Sequence, residues 1–159
     1  LPKTLLKVGV FVNEAPEDVL RVAKYCGLNA LQFHGEESPE HCQRFFYPVF
    51  KAIHIKDLES LKDMGKYHHV SILLDTYSPV QAGGTGNPFS WEIALMAKEK
   101  GNFILSGGLN PGNVGEAIKK VRPWGVDVCS GVEKVLGMKD PLKMIDFVKE
   151  VRKADEKIG

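Results

Sequence analysis

Two consecutive strand-like segments of the sequence end in small residues, an arrangement typical of a phosphate site. The first runs from Phe103 to Ile118 and reads FILSGGLNPGNVGEAI, and the second runs from Gly125 to Glu133 and reads GVDVCSGVE. Backbone N–H groups at such turns can cradle an anion. The residues we expect to bind phosphate are Gly107, Gly108, Ser130 and Gly131. A phosphorylated small molecule is therefore the expected substrate.

Polar residues at the ends of apolar strands are the next candidates for chemistry. Asp75 ends the segment ILLD and precedes a long glycine-containing loop. A carboxyl group beneath a closing loop can have its pKa raised by desolvation and act as a general acid. A turn or helix-capping aspartate is an equally good interpretation of its position. His34, in LQFHGEE, could bind substrate or transfer a proton, although a histidine satisfied by its neighbours is the simpler alternative.

Three further features complete the candidate site. Asp127 faces inward by strand alternation and could bind sugar hydroxyls. The loop glycines Gly83, Gly84 and Gly86 lack the full spacing of a nucleotide-binding loop and are better interpreted as a flexible lid. A metal site is not predicted, because the histidines and cysteines show no metal-binding spacing.

Alternating strand and helix patterns must position these residues. The predicted strands are 5–12, 28–34, 49–54, 70–75, 103–106 and 126–129. The predicted helices are 16–26, one opening at Ser38-Pro39, 57–64 closed by Gly65, 90–100, one capped by Asn110-Pro111 and reaching Val121, and 141–152 capped by Asp140. Six β–α units imply a parallel sheet in one domain spanning residues 1–159.

Composition excludes several classes of protein. The net charge of +1 with no basic block argues against a nucleic-acid partner, and no apolar run is long enough for a membrane span. Three cysteines without a CxxC pair argue against a disulfide framework, so a cytoplasmic location is expected.

Two architectures fit six β–α units. An open doubly wound sheet suits the length of 159 residues, since (β/α)8 barrels usually have about 250. A barrel instead explains the placement of the polar residues, because several strands each contribute one polar residue at their carboxyl end to a barrel's active site.

The motifs together resemble the phosphoribosylanthranilate isomerase family of tryptophan biosynthesis. The resemblance rests on LLDTYSPVQAGGTG, LSGGLNPGNVGEAI and VRPWGVDVCSGVE, with support from VGVFVNE and LNALQFHGEE. It implies a (β/α)8 barrel enzyme that isomerises N-(5'-phosphoribosyl)anthranilate to 1-(2-carboxyphenylamino)-1-deoxyribulose 5-phosphate without a cofactor.

The resemblance also implies roles for the residues above. Asp75 matches the general acid that protonates the ribose ring oxygen and opens the ring to a Schiff base. His34 and Asp127 match substrate-contacting positions. The remaining matches are the mobile-loop positions Gly83, Gly84 and Gly86 and the phosphate-binding positions Gly107, Gly108, Ser130 and Gly131.

Departures from the family pattern restrict what we expect of this chain. The family's general base is a cysteine in a KxCG motif on the first strand, and the sequence contains no such motif. We therefore expect the chain to correspond to strands 3–8 of the barrel, to lack turnover by itself, and to self-associate through two open sheet edges. A non-catalytic phosphosugar-binding module and an isomerase domain cut from a bifunctional fusion are the alternatives. A Schiff-base aldolase is disfavoured, since Lys51 begins its strand rather than ending it.

Overall fold

Six short parallel strands alternate with helices along the chain. The computed structural model describes residues 2, 4–76 and 88–156. The parallel strands are β1 (Val8–Phe11), β2 (Ala30–Phe33), β3 (Val49–Ile55), β4 (Ser71–Thr76), β5 (Phe103–Ser106) and β6 (Gly125–Val126). The α-helices are α1 (Pro16–Cys26), α2 (Pro39–Cys42), α3 (Pro88–Ala97), α4 (Val114–Val121) and α5 (Pro141–Asp155). The described helices include none that is long and apolar enough to cross a membrane.

The order of the strands decides between the two predicted architectures. Each strand pairs in parallel with the next along the chain, giving the order β1-β2-β3-β4-β5-β6. A doubly wound sheet reverses direction and places its first strand inside the sheet. Right-handed crossovers that always advance in one direction instead place every helix on the same face, as in a barrel. The barrel-type fold is thus confirmed and the open doubly wound alternative is wrong.

Local signals explain the helices that the sequence predicted well. Helix α1 has Pro16 in its first turn and ends at Gly27, which adopts the left-handed conformation with φ of 57°. The Asp140 carboxylate accepts hydrogen bonds from the N–H groups of Leu142 and Lys143 and so caps α5. The Ser38 hydroxyl caps α2 in the same way by accepting from His41.

Several predicted boundaries are wrong, for reasons visible in the side chains. Helix α4 begins at Val114 rather than at Asn110, because the Asn110 and Asn113 side chains hold residues 110–113 in a separate turn. The predicted helix 57–64 is a 3₁₀ helix, Glu59–Lys66, with Gly65 inside it. Its first turn is tightened by the Asp57 carboxylate, which accepts from Ser60.

The last predicted strand is also shorter than expected. Strand β6 ends at Val126, and a 3₁₀ turn at Ser130–Val132 follows. An antiparallel ribbon of β7 (Glu133–Val135) and β8 (Met138–Lys139), which the sequence did not predict, then leads into α5. Gly137, with φ of 80°, makes the tight turn of this ribbon.

The core lies between the sheet and its helices in two clusters. The larger cluster packs β3, β4 and β5 against α3, α4 and α5, and its fully buried members include Leu74, Leu105 and Val114. The smaller cluster packs β1 and β2 against α1 and α2 around Phe33. The strand members of both clusters include apolar neighbours of the polar strand-end residues, such as Phe33 beside His34 and Leu74 beside Asp75, so the same packing holds the carboxyl edge of the sheet.

Candidate active site

Asp75 lies at the centre of a polar group on the carboxyl edge of the sheet. One of its oxygens, Oδ2, is 3.1 Å from Nε2 of His34 and 3.2 Å from Nδ1 of His54. The two imidazole rings stack with centroids 5.0 Å apart and an interplanar angle of 28°. The structure therefore brings two imidazoles to one carboxylate oxygen, although these residues are about twenty positions apart in sequence.

Strand register explains this meeting. His54 on β3 pairs directly with Asp75 on β4, which pairs with Ser106 on β5. Residues paired across neighbouring strands point to the same face of a sheet. His34 follows β2, and its backbone N–H donates to the carbonyl of Phe11 on β1. One row of strand ends thus carries the polar side chains, as predicted for His34 and Asp75.

Ser106 and Asp127 form the next part of the row. The Ser106 hydroxyl donates to Oδ2 of Asp127 at 2.8 Å. Ser106 is buried and Asp127 is half-buried, so this hydrogen bond fixes the direction of the carboxylate. Asp127 lies just beyond the end of β6, outside the strand in which the sequence placed it, and its contact with Ser106 rather than strand alternation holds its carboxylate.

The two loops predicted to bind phosphate pack against each other. A Cβ atom on Gly131 would lie 1.8 Å from the carbonyl oxygen of Leu109, so only glycine fits there. Gly107 and Gly108 have φ of 86° and 65°, a conformation that favours glycine. The Asn113 amide donates to the Gly108 carbonyl at 3.0 Å and fixes the turn. The structure thus brings the two predicted phosphate-binding loops together, and phosphate binding by them stays a prediction.

A buried ion pair supports the segment that follows His34. Glu37 and Lys51 are only 5% and 3% exposed, and their charged groups are 3.2 Å apart. Glu37 accepts from the N–H groups of Asn13 and Gly35, whereas the Lys51 ammonium donates to the Gly35 and Ala52 carbonyls. Burial by itself would raise the pKa of Glu37, but the Asn13 N–H and the Lys51 ammonium hold it below its ordinary value.

The sequence patterns did not single out His54, Glu37 or Lys51 as members of this arrangement. His54 does obey the rule that identified Asp75, since it is a polar residue next to the end of an apolar strand. The Lys51 ammonium is engaged by Glu37 and by the carbonyl groups of Phe33, Gly35 and Ala52. The lid glycines Gly83, Gly84 and Gly86 lie outside the described residues.

The three cysteines lie in different surroundings from Asp75. Cys26 ends α1 and is exposed, whereas Cys42 ends α2 and is buried, and burial raises its pKa to about 11. Cys129 is exposed, and its sulfur is 3.3 Å from Nζ of Lys139 on the β7–β8 ribbon. A thiol with a raised pKa is almost entirely protonated at neutral pH, so little thiolate is available to accept a proton.

A parallel sheet in sequential strand order, with polar residues along its carboxyl edge, defines an α/β protein of the (β/α)8-barrel type. The sequence model of N-(5'phosphoribosyl)anthranilate (PRA) isomerase matches residues 2–150. The chain belongs to the N-(5'-phosphoribosyl)anthranilate isomerase family, a family of isomerases of tryptophan biosynthesis.

Individual relatives agree with this assignment. The chain is 49% identical over 156 residues to N-(5'-phosphoribosyl)anthranilate isomerase of Desulforudis audaxviator, covering 97% of this chain and 76% of that protein. It is similar to the crystal structure of phosphoribosyl anthranilate isomerase from Thermotoga maritima, with a TM-score of 0.88 and 43% identity over 96% of this chain and 76% of that one.

A third relative was solved with a ligand. It is phosphoribosyl anthranilate isomerase in complex with reduced 1-(o-carboxyphenylamino)-1-deoxyribulose 5-phosphate. Its TM-score is 0.84 at 40% identity, over 96% of this chain and 74% of that one.

Proposed function

We propose that the carboxyl edge of this sheet binds the phosphoribosyl substrate of the isomerase reaction and that Asp75 donates the proton that opens the ribose ring. One observation carries the proposal. Asp75 has the imidazoles of His34 and His54 on one side and, on the other, Ser106, the strand-end residue that precedes Gly107 and Gly108. The carboxyl edge therefore carries the acid, then the groups that would bind hydroxyls, then the proposed phosphate cradle. The ring oxygen, the hydroxyls and the phosphate of a ribose phosphate follow the same order.

Strand spacing supports this placement. Neighbouring strands lie about 4.8 Å apart, so β4 is roughly one spacing from β5 and two from β6. A phosphate on the loops that follow β5 and β6 would place its ribose over the end of β4, where Asp75 is. Ser106 and Asp127 would then lie beneath the sugar hydroxyls, with the Ser106 hydroxyl orienting the Asp127 carboxylate.

The proposed chemistry begins with proton transfer to the ribose ring oxygen. Asp75 gives up its proton, the bond between the ring oxygen and C1' breaks, and the anthranilate nitrogen supplies the electron pair that forms the Schiff base. His34 and His54 each present either an N–H or a lone pair, depending on the tautomer, so they can contact Asp75 before and after the transfer.

The next step, removal of the proton from C2', is assigned to no residue of the described chain. The cysteines favour a second candidate function, which is phosphosugar binding without turnover. Cys42 is buried and its pKa is raised to about 11, and the sulfur of Cys129 contacts Lys139.

Self-association is a further proposal about partners. Strand β1 forms one edge of the sheet, and its side chains Val8 and Val10 are 40% and 58% exposed. Leu142 and Ile145 on α5 are 72% and 62% exposed. Exposed apolar residues on an edge strand and on a helix face each favour association with another chain. Sedimentation velocity across a concentration series tests this proposal, and a monomer at all concentrations would contradict it.

Calorimetric titration tests the binding site directly. The probe is reduced 1-(o-carboxyphenylamino)-1-deoxyribulose 5-phosphate, the ligand of the solved relative. Ser130→Asp places a negative charge about 5 Å from the proposed phosphate, and the repulsion at an effective dielectric of 20–80 is about 1–3 kcal/mol. We expect the Kd to rise about 5- to 200-fold.

The matched control is Ser71→Asp. Ser71 is also exposed but begins β4, so it lies at the opposite edge of the sheet. It should bind the probe as the unmodified chain does. Equal binding by Ser130→Asp and Ser71→Asp would show that the phosphate does not lie on the loop after β6.

A further inference from the structure

Two histidines and an aspartate at the carboxyl edge have the composition and spacing of a metal site. The ligating atoms of His34, His54 and Asp75 all lie within 4.8 Å of one another, and they form the one such group in the part of the chain that the structure describes. We propose that this group binds a single divalent transition-metal cation of the Zn²⁺ class. The proposal goes beyond the isomerase chemistry, which assigns no metal to these residues.

The distances fit coordination without rearrangement of the backbone. Zinc binds imidazole nitrogen and carboxylate oxygen at about 2.0–2.2 Å, which places neighbouring ligand atoms about 2.9–3.4 Å apart for bond angles of 90–110°. Oδ2 of Asp75 lies 3.1 Å and 3.2 Å from the two ring nitrogens. Two of the three distances between ligand atoms already have this spacing, and the two ring nitrogens lie within 4.8 Å of each other, so side-chain rotation could bring all three atoms to one cation.

The backbone holds the three ligands on neighbouring strands. Asp75 and His54 are paired in register on β4 and β3, and His34 follows β2. The two imidazole rings stack on each other, and all three side chains are partly exposed, so solvent can reach the group. Three protein ligands with open positions describe an exchangeable or substrate-accessible site rather than a closed structural one.

The donor set selects the class of cation. Imidazole nitrogens with one carboxylate suit Zn²⁺, Co²⁺, Ni²⁺ and Cu²⁺, whereas Mg²⁺ and Ca²⁺ prefer sites made of oxygen alone. Gln32 lies behind the group, with its amide 3.4 Å from Nδ1 of His34. Such an outer contact orients a ligating imidazole and leaves the other ring nitrogen for the metal.

Exposure makes the site accessible from solution. The side chains of His34 and Asp75 are 26% and 23% exposed, and that of His54 is 43% exposed. A cation can therefore enter without opening the core. A bound cation would also occupy the carboxylate oxygen of Asp75 and so prevent Asp75 from acting as the acid. This consequence rests on the proposed function, whereas the binding of the cation does not.

Titration of the full 159-residue chain with Zn²⁺ and Co²⁺ tests the proposal. After treatment with a chelator, calorimetry should give one Zn²⁺ per chain, and Co²⁺ should show visible absorption from nitrogen and oxygen ligands. His54→Asn should weaken the binding of both ions at least about tenfold, since even loss of an outer contact typically costs 10- to 100-fold. His34→Asn should do the same, and Zn²⁺ should raise the Tm of the unmodified chain but not of these variants.

Two control variants separate this site from other ligands. His68→Asn removes an exposed histidine outside the group and should leave affinity unchanged. Cys129→Ser removes an exposed thiol and should also have no effect. The proposal is overturned by undiminished binding in His54→Asn with an unchanged melting curve, by thiolate absorption that disappears in Cys129→Ser, or by no binding at millimolar Zn²⁺.

Discussion

Removing the ammonium group of Lys51 should destabilise the segment that holds His34. In Lys51→Met the apolar stem is replaced at similar volume, but the Glu37 carboxylate loses its buried partner. Lys51 is only 3% exposed and its ammonium also donates to the carbonyls of Gly35 and Ala52. Those two carbonyl groups lose this donor as well.

The magnitude follows from burial. Breaking a buried ion pair by removing one partner costs about 3–5 kcal/mol, because an uncompensated charge remains in the interior. For a chain of this size, each kcal/mol changes the Tm by about 2–4 °C, so the expected decrease is about 6–20 °C. The exposed pair of Lys66 and Asp63, at 2.6 Å, provides the matched control. Lys66→Met should cost less than about 1 kcal/mol.

The pH dependence has a definite sign. The pKa of Glu37 is below its ordinary value in the folded chain, so its contribution is fully present above about pH 4.3 and is lost as the pH falls further. In Lys51→Met the unpaired carboxylate should instead have a raised pKa and become protonated at higher pH. The difference in stability between the two chains should therefore narrow as the pH falls from 7 to 4.

Chemical denaturation at several pH values measures these differences. The double variant Lys51→Met with Glu37→Gln should recover part of the lost stability, because the amide oxygen can still accept from Asn13 while the buried charge is gone. A cost below 1 kcal/mol for Lys51→Met at pH 7, or a cost that does not change with pH, would refute the assignment of a buried ion pair.

Three further predictions concern the reaction. In any form of the protein that turns over, Asp75→Asn should lower kcat at least about 10²-fold with an unchanged Tm, and near-normal turnover would remove Asp75 from the chemistry. Gly107→Val should weaken binding of the reduced substrate analogue in calorimetry, because valine is strained at φ of 86°. Gly27→Val, at φ of 57° on the opposite edge of the sheet, is the control for strain alone. Equal binding by the two variants would contradict the proposed phosphate cradle. The 159-residue chain by itself should not decrease the substrate's fluorescence, and turnover that disappears in Cys129→Ser would identify that thiol as the base.

Local sequence signals predicted the elements that local chemistry determines. Strand β5 has the predicted bounds, and α1 runs from Pro16 to Cys26 as expected, because proline and glycine mark its ends. The start of α4 and the β7–β8 ribbon were missed for the opposite reason. Side-chain turns at Asn110 and Asn113, and a ribbon of two and three residues, lack a periodic pattern.

The candidate site likewise has a part that local sequence signals predicted and a part that depends on tertiary contacts. The rule that catalytic groups gather at strand ends predicted His34 and Asp75 as site residues without knowledge of their contacts, and strand alternation added Asp127. It did not predict that His34 and His54 share one oxygen of Asp75, because that depends on the register between β3 and β4. The Glu37–Lys51 pair is likewise a tertiary contact between a loop and a strand, with no local signal.

The most direct measurement of the central claim is a crystal structure of the chain with reduced 1-(o-carboxyphenylamino)-1-deoxyribulose 5-phosphate. We expect the phosphate within hydrogen-bonding distance of backbone N–H groups in the loops that contain Gly107 and Gly131. The sugar chain should extend over β4, with a carboxylate oxygen of Asp75 within about 3 Å of a ribulose oxygen. A phosphate held elsewhere on the chain, or a ligand that leaves Asp75 untouched, would contradict the account.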